Sequence, residues 1–308
     1  MYPIKFENLY YEKIWGGRDL SEFRNNLPEG NIGESWDIAC HPNGMSIVSN
    51  GKLKGKSFDK IIKEYGKDLL GENFQNKEFP LLVKLINSRE KLSVQVHPND
   101  EYAKRVENSL GKTEAWYVVE AKPGASLIVG TKNCDKETFK EAIKLKKVED
   151  YLNKIEVKKG DCFLINSGLV HAICEGVIIA EIQQNSDITY RIYDYGRPRE
   201  IHVDKCLDVI DFNLKAINAS ENKLDEYKKG VLCYSKYFTI EKYIINGAVT
   251  EVSDINKFFI FTCVDGFGII TSSNGTKVEI NKGDSILIPA KLGKYIIEGN
   301  LTLLKSYT

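Results

Sequence analysis

The chain has 308 residues, 42% hydrophobic and 28% charged, a balance that excludes a disordered or membrane-embedded class. Lysine plus arginine and aspartate plus glutamate both number 43, so the formal net charge is zero; without a long basic run, no nucleic-acid partner is expected. The opening Met1–Asn8 lacks an apolar signal core and no apolar run reaches spanning length, so neither secretion nor membrane insertion is expected.

Seven cysteines, an odd number with no C-x-x-C pair, read as reduced thiols and place the protein in the cytoplasm. The four histidines, His41, His97, His171 and His202, leave a metal site few places to recruit from.

The chain opens on short strands and loops, punctuated by Ile14-Trp-Gly-Gly17 and Gly33-Glu-Ser-Trp-Asp37. Trp15 and Trp36 read as core or pocket walls, and His41, in the turn sequence Cys40-His-Pro-Asn-Gly44, as exposed. Phe58, Ile61, Ile62 and Tyr65 have helical spacing behind Ser57 as N-cap. Pro80–Ile86 reads as a strand with Lys84 inside its apolar run. Taken alone, that lysine predicts an edge strand with the ammonium in water.

Val94–His97 alternates apolar and polar residues, so Gln95 and His97 share one face of a strand that Pro98 ends. Two adjacent donors on one face read as half of a metal site, or as an edge strand facing solvent. Asn99–Val106 predicts a capped helix, and Gly111–Val119 a turn entering a strand with Glu114 and Trp116 on one face. A second helical block runs from Asp135 to about Leu152, with Phe139, Ala142, Ile143 and Leu145 as its apolar members.

Beyond Ile155 the sequence is strand and turn: Cys162–Ile165, Val170–Ile173, Val177–Gln184 and Ser186–Tyr193, then a short helix near 203–210. Lys159-Gly-Asp161 through Ile173 aligns without gaps to Lys282-Gly-Asp284 through Ile296, both copies reading turn, buried strand, turn, strand. The fold class expected is mainly β, two jelly rolls with a few short helices inserted. Residues 1–212 form the first unit, the polar stretch 213–230 the linker, and 231–308 a C-terminal unit of short strands. Lys294 stands where His171 does, and the second copy has no histidine, so only the first unit could hold a histidine-based metal.

The candidate ligands there are Gln95, His97, Glu114 and His171. Two imidazoles, a carboxylate and an amide oxygen suit a borderline divalent ion such as zinc, with room for water or substrate. A Q-x-H strand, a Glu on the next strand and a His after a Gly-Asp turn resemble a cupin. Ile14–Gly17, Gly33–Trp36, Val94–Pro98, Gly111–Trp116, Ser167–Ile173 and Ser186–Arg191 resemble, in order, the signature segments of type I mannose-6-phosphate isomerases. Asn166 stands where that family commonly has proline, and the chain is similar in length to its compact form, without the large helical insertion.

The resemblance implies one zinc ion per chain on Gln95, His97, Glu114 and His171, and a phosphosugar as substrate. It places active-site roles on Arg191 and Lys112 and further pocket positions on Lys84 and Asp187, in a monomer or weak homodimer. The implied reaction interconverts mannose 6-phosphate and fructose 6-phosphate through an enediol. A guanidinium is a poor base, so Arg191 is expected to stabilise developing charge, leaving Lys112 or a water on the metal to move protons. An iron-dependent cupin oxygenase and a non-catalytic sugar-binding or regulatory cupin are the competing readings.

Overall fold

The computed structural model describes residues 1–74, 78–219, 224 and 229–308. It is mainly β, with α-helices at Phe58–Leu70, Asp100–Glu107, Lys136–Lys144 and Val203–Val209 among the described residues. No helix there is long and apolar enough to cross a membrane.

A seven-stranded antiparallel sheet runs, in spatial order, Ile217–Asn218, Cys162–Ile165, Glu114–Ala121, Val177–Gln184, Leu81–Ser88, Ile32–Ile38 and Leu9–Gly17. A five-stranded sheet runs Leu152–Glu156, Ser126–Thr131, His171–Ile173, Val94–Val96 and Tyr190–Tyr193. One apolar cluster joins Ile86, Trp116 and Val118 of the first to Leu127, Val129 and Ile173 of the second, so the two form a sandwich.

Alternation along the strands decides which residues enter it. Leu81, Val83, Leu85, Ala115, Tyr117, Ile178, Ala180 and Ile182 turn to the back of the seven-stranded sheet, against the Phe58–Leu70 helix and C-terminal residues such as Ile260 and Leu287. Lys84, Glu114, Trp116, Glu181 and Gln183 lie on the opposite face, inside the sandwich. Both faces of this sheet are covered, which is why every residue of Leu81–Ser88 is buried. The strand is therefore central rather than an edge, and Lys84 is buried, contrary to the expectation from its sequence context.

Residues 229–308 supply six strands of a second seven-stranded sheet. The short strands expected there are instead dominated by three of 14 residues, Thr239–Val252, Phe259–Ser272 and Lys294–Tyr307. Gly247, Gly299 and Gly268 stand in register across all three. A Cβ at Gly299 would lie 2.4 Å from the Phe267 carbonyl oxygen. Glycine permits a crease there, and the sheet folds on itself around Tyr243, Phe261, Ile270, Ile280 and Ile297. The sequence echo is visible as two turn-strand pairs, Cys162–Ile165 and Ser285–Ile288 each following a Gly-Asp turn. The N-terminal strand Ile4–Lys5 joins this C-terminal sheet, Ile4 opposite Leu287.

The 213–230 stretch, expected as a linker, lies partly outside the described residues, at 220–223 and 225–228; its Ile217–Asn218 extends the first sheet beside Cys162–Ile165. Among the helices, Asn99 caps as expected, accepting from the Tyr102 N–H. Ser57 occupies the N-cap position, but its hydroxyl donates to the Asp59 carboxylate and accepts from no helix N–H. Leu145 is exposed, because the helix stops at Lys144 and a 3-10 turn follows.

Candidate metal centre and substrate cleft

Strand register gathers the candidate donors. His171 is paired directly with Gln95, and Arg191 flanks Gln95 on its other side. His97 lies two residues beyond Gln95 on the same face, while Glu114 projects inward from the facing sheet. His97 and His171 are 1% and 0% exposed and Glu114 0%.

Both imidazoles are fixed by backbone carbonyls. His97 Nδ1 lies 2.8 Å from the Ile188 carbonyl and His171 Nδ1 2.8 Å from that of Leu169. A carbonyl only accepts, so each Nδ1 carries the proton and each Nε2 presents a lone pair. Burial, with the Lys112 ammonium beside it, pushes His97 down to about 3, and burial likewise lowers His171, so both rings are neutral.

The two Nε2 atoms stand 3.1 Å apart, with no proton available between them. Glu114 Oε2 lies 3.5 Å from His97 Nε2 and Oε1 3.5 Å from His171 Nε2, and the buried Oε1 has no hydrogen-bond partner. The Gln95 amide nitrogen is 3.2 Å from His171 Nε2, so Gln95 would present its oxygen only with the amide turned over. A four-coordinate ion with bonds of about 2.0–2.1 Å needs donors about 3.3 Å apart, so His97, Glu114 and His171 fit such an ion. An orphaned buried carboxylate oxygen is costly without a cation.

Chain-borne cations already crowd the site. Lys112 Nζ is 2.5 Å from Glu114 Oε2, 3.1 Å from His97 Nε2 and 3.6 Å from Glu181. Burial raises Glu114, yet the Lys112 ammonium outweighs it and holds the carboxyl well below its usual range. Glu181, paired in register with Lys84 and Trp116, binds Lys84 Nζ at 3.0 Å and accepts from the Trp116 indole at 2.8 Å. Burial opposes the Lys84 ammonium, but Glu181, Glu34 and Glu114 raise it above its ordinary value. Lys84 and Lys112 are thus linked through one carboxylate.

Glu34, Lys84, Gln95, Lys112 and Glu181 line a cleft of about 470 Å3, walled by Trp15, Trp36 and Trp116, of a size suited to a small metabolite. Arg191 lies on it with only neutral partners, the Ser93 hydroxyl at 3.3 Å and the Glu200 carbonyl at 2.7 Å. The nearby carboxylate, Asp194, is taken by Arg197 at 2.7 Å and Arg199 at 2.6 Å. Among the described residues Arg191 has no ion-pair partner, which leaves its charge free for an anion in the cleft. Asp187 stands at the mouth, accepting from Asn43 Nδ2 at 2.5 Å, with His41 Nε2 3.8 Å away. His41 is largely covered, its ring against Trp36, rather than exposed as its turn sequence predicts.

Sequence reasoning missed Glu181 and Glu34. The signal was there for Glu181: like Lys84, it is a lone charge inside an apolar run, and two opposite charges in strands of matched length satisfy each other when paired. Burial pushes Glu34 up, but Lys84 and Lys13 more than offset this and hold it down at about 2. Its folded value is depressed, so its contribution is complete above pH 4.5 and lost as pH falls toward 2. Glu34→Gln should therefore flatten the acid limb of the stability curve by about 2–3 kcal/mol and be less stable than wild type at pH 7. An acid limb of unchanged steepness in urea titrations would show that this pairing does not contribute.

A family model described as the phosphomannose isomerase type I catalytic domain matches residues 4–131, and one described as the mannose-6-phosphate isomerase cupin domain matches 228–308. The chain is 37% identical over 316 residues to the probable mannose-6-phosphate isomerase GmuF of Bacillus subtilis, covering 99% of each. It is 36% identical over 315 residues to the mannose-6-phosphate isomerase of Streptococcus mutans, covering 99% of this chain and 98% of that one. The crystal structure of the Bacillus subtilis mannose 6-phosphate isomerase superposes with a TM-score of 0.93 at 33% identity, over 100% of both chains. A putative mannosephosphate isomerase from Archaeoglobus fulgidus shares the fold, with a TM-score of 0.82 at 22% identity, over 100% of this chain and 98% of that one.

Proposed function

Because the chain belongs to the type I mannose-6-phosphate isomerases, we propose that it interconverts mannose 6-phosphate and fructose 6-phosphate through an enediol, with one zinc ion per chain on Gln95, His97, Glu114 and His171. The observation that carries the metal reading is the pair of unprotonated Nε2 atoms 3.1 Å apart beside an unpartnered, buried Glu114 oxygen. Family membership sets aside the oxygenase and the non-catalytic reading.

In the reaction the hydrogen on C2 is transferred as a proton to C1, while the proton on O2 is exchanged for one on O1. A bound divalent ion supplies Lewis-acid stabilisation of negative charge developing on those oxygens. The chain's own groups do the rest. Lys112, next to the donor set and backed by Glu181, moves protons at the sugar oxygens. Arg191, without a counter-ion, stabilises developing negative charge. Lys84 and Asp187 contact substrate, one from the cleft floor and the other from its mouth, and three tryptophans narrow the space left for water.

The catalytic unit spans 1–212 and the C-terminal unit 231–308, joined through 213–230. Seven free cysteines suit a reducing cytoplasm. Formation of fructose 6-phosphate, followed in a coupled assay, should cease on stripping with a chelator and return with one equivalent of zinc. Full activity in metal-free protein would overturn the metal assignment.

A further inference from the structure

The segment that carries Lys112 and Glu114 is not held by its own strand alone. Its first residues, Gly111 to Thr113, precede the strand Glu114–Ala121; the Thr113 carbonyl accepts from the Gln184 N–H at 3.1 Å. Side chains hold the rest. Asp100 Oδ1 accepts from the Gly111 N–H at 2.9 Å and from Gln184 Nε2 at 2.9 Å. Gln184 Oε1 in turn accepts from the Thr113 N–H at 2.8 Å. The Lys112 N–H donates to the Pro98 carbonyl at 3.0 Å, next to His97.

Gly111 is required by this packing. A Cβ there would lie 2.5 Å from the backbone carbon of Asn99 and 2.5 Å from the Asp100 nitrogen. One carboxylate thus ties the ends of three strands that bring Gln95 and His97, Glu114, and Glu181 to the cleft. Its second oxygen is claimed from the other unit: Tyr237 donates its hydroxyl to Asp100 Oδ2 at 2.8 Å. Tyr237 sits on the turn between the strands Lys229–Tyr234 and Thr239–Val252 of the C-terminal sheet.

We propose that Tyr237 and Asp100 are positioning residues for the reaction, through which the C-terminal unit, though it carries no donor to the metal site itself, fixes the register of the Lys112–Glu114 segment against His97. A hydrogen bond from a phenol to a carboxylate is charge-assisted, and it orients both carboxylate oxygens at once. Without it, Asp100 is free to rotate about its side-chain bonds, and the two amide donors of Gly111 and Gln184 lose a fixed acceptor. Glu114 and Lys112 then sample positions away from the two imidazoles, and groups that orient metal ligands typically matter about 10–100-fold in metal affinity or activity.

The inference rests on the metal reading only in its affinity arm. Tyr237→Phe in the full-length protein should speed hydrogen exchange of the Gly111 and Thr113 amides in the metal-free state. It should also weaken zinc binding, measured by competition with a chromogenic chelator, by about tenfold. At saturating zinc it should lower kcat with little change in KM. Asp100→Ala should do the same more strongly, and Asp100→Asn, which keeps Oδ1 as an acceptor but turns an amide nitrogen to the Tyr237 hydroxyl, should fall between Tyr237→Phe and Asp100→Ala. If Tyr237→Phe lowers only the melting temperature, with amide exchange, zinc affinity and kcat as in wild type, Tyr237 merely joins the two units and the proposal is wrong. Should wild type bind no metal at all, the metal reading fails, while the exchange of Gly111 and Thr113 still decides this one.

Discussion

Alanine at His171 is expected to remove the metal and, with it, turnover. The ring is fully buried, its Nδ1 tied to the Leu169 carbonyl and its edge set against Trp116 with centroids 5.3 Å apart. Nothing nearby can replace it, since the remaining histidines other than His97 lie at the cleft mouth or beside Arg191. Loss of a direct ligand should exceed the cost of about 10–100-fold in affinity seen for groups one shell further out. His97→Ala should behave alike. Elemental analysis of the purified variants, alongside thermal unfolding to show that they fold, checks the outcome. Stoichiometric metal retained by both would overturn the ligand set.

Arg191→Ala is expected to cost turnover while leaving the metal in place. Its guanidinium has one side-chain partner, Ser93, and a backbone carbonyl, so folding depends on it less than on Arg24, whose partner Asp37 is buried. Removal of one preorganised donor to a developing oxyanion typically costs about 10²–10³ in kcat. Arg191→Lys should not rescue, because an ammonium cannot reproduce the planar fork that meets Ser93 and Glu200 while facing the cleft. If instead KM rises with kcat intact, Arg191 holds the ground-state phosphate. If zinc or fold is lost, its role is structural.

The legible part of the site was local. Gln95 and His97 are two apart on one strand, and a period of two is visible in any sequence; Glu114 and His171 follow from turn signals close by. The misread part depended on what covers a sheet. Lys84 looked like an edge residue because nothing in Leu81–Ser88 tells which strands flank it, whereas in the fold it has Glu181 on one side and Trp36 on the other. The same blindness hid Glu181, whose meaning appears only when Lys84 and Trp116 stand beside it. In the C-terminal unit the error was one of punctuation. The expected strands were short, whereas Gly247, Gly268 and Gly299 stand in register and form a crease that long strands run straight through. Asp100 reads as an ordinary first-turn acid, and its tie to Tyr237 spans 137 residues.

The pairing of Ile4–Lys5 with Ser285–Ile288 sets an order of events during synthesis. The first strand to leave the ribosome waits for nearly the last: at about 5–20 residues per second the interval is roughly 15–60 s. Until then the apolar residues Tyr2, Ile4 and Phe6, all buried in the finished protein, have no partner in the C-terminal sheet. Closing so long a loop costs entropy that only the completed chain recovers. Residues 47–53 hold that strand in the meantime, the Ser49 N–H donating to the Lys5 carbonyl at 2.9 Å and the Leu53 N–H to the Tyr2 hydroxyl at 3.0 Å, so the later step adds Ser285–Ile288 beside a strand already placed.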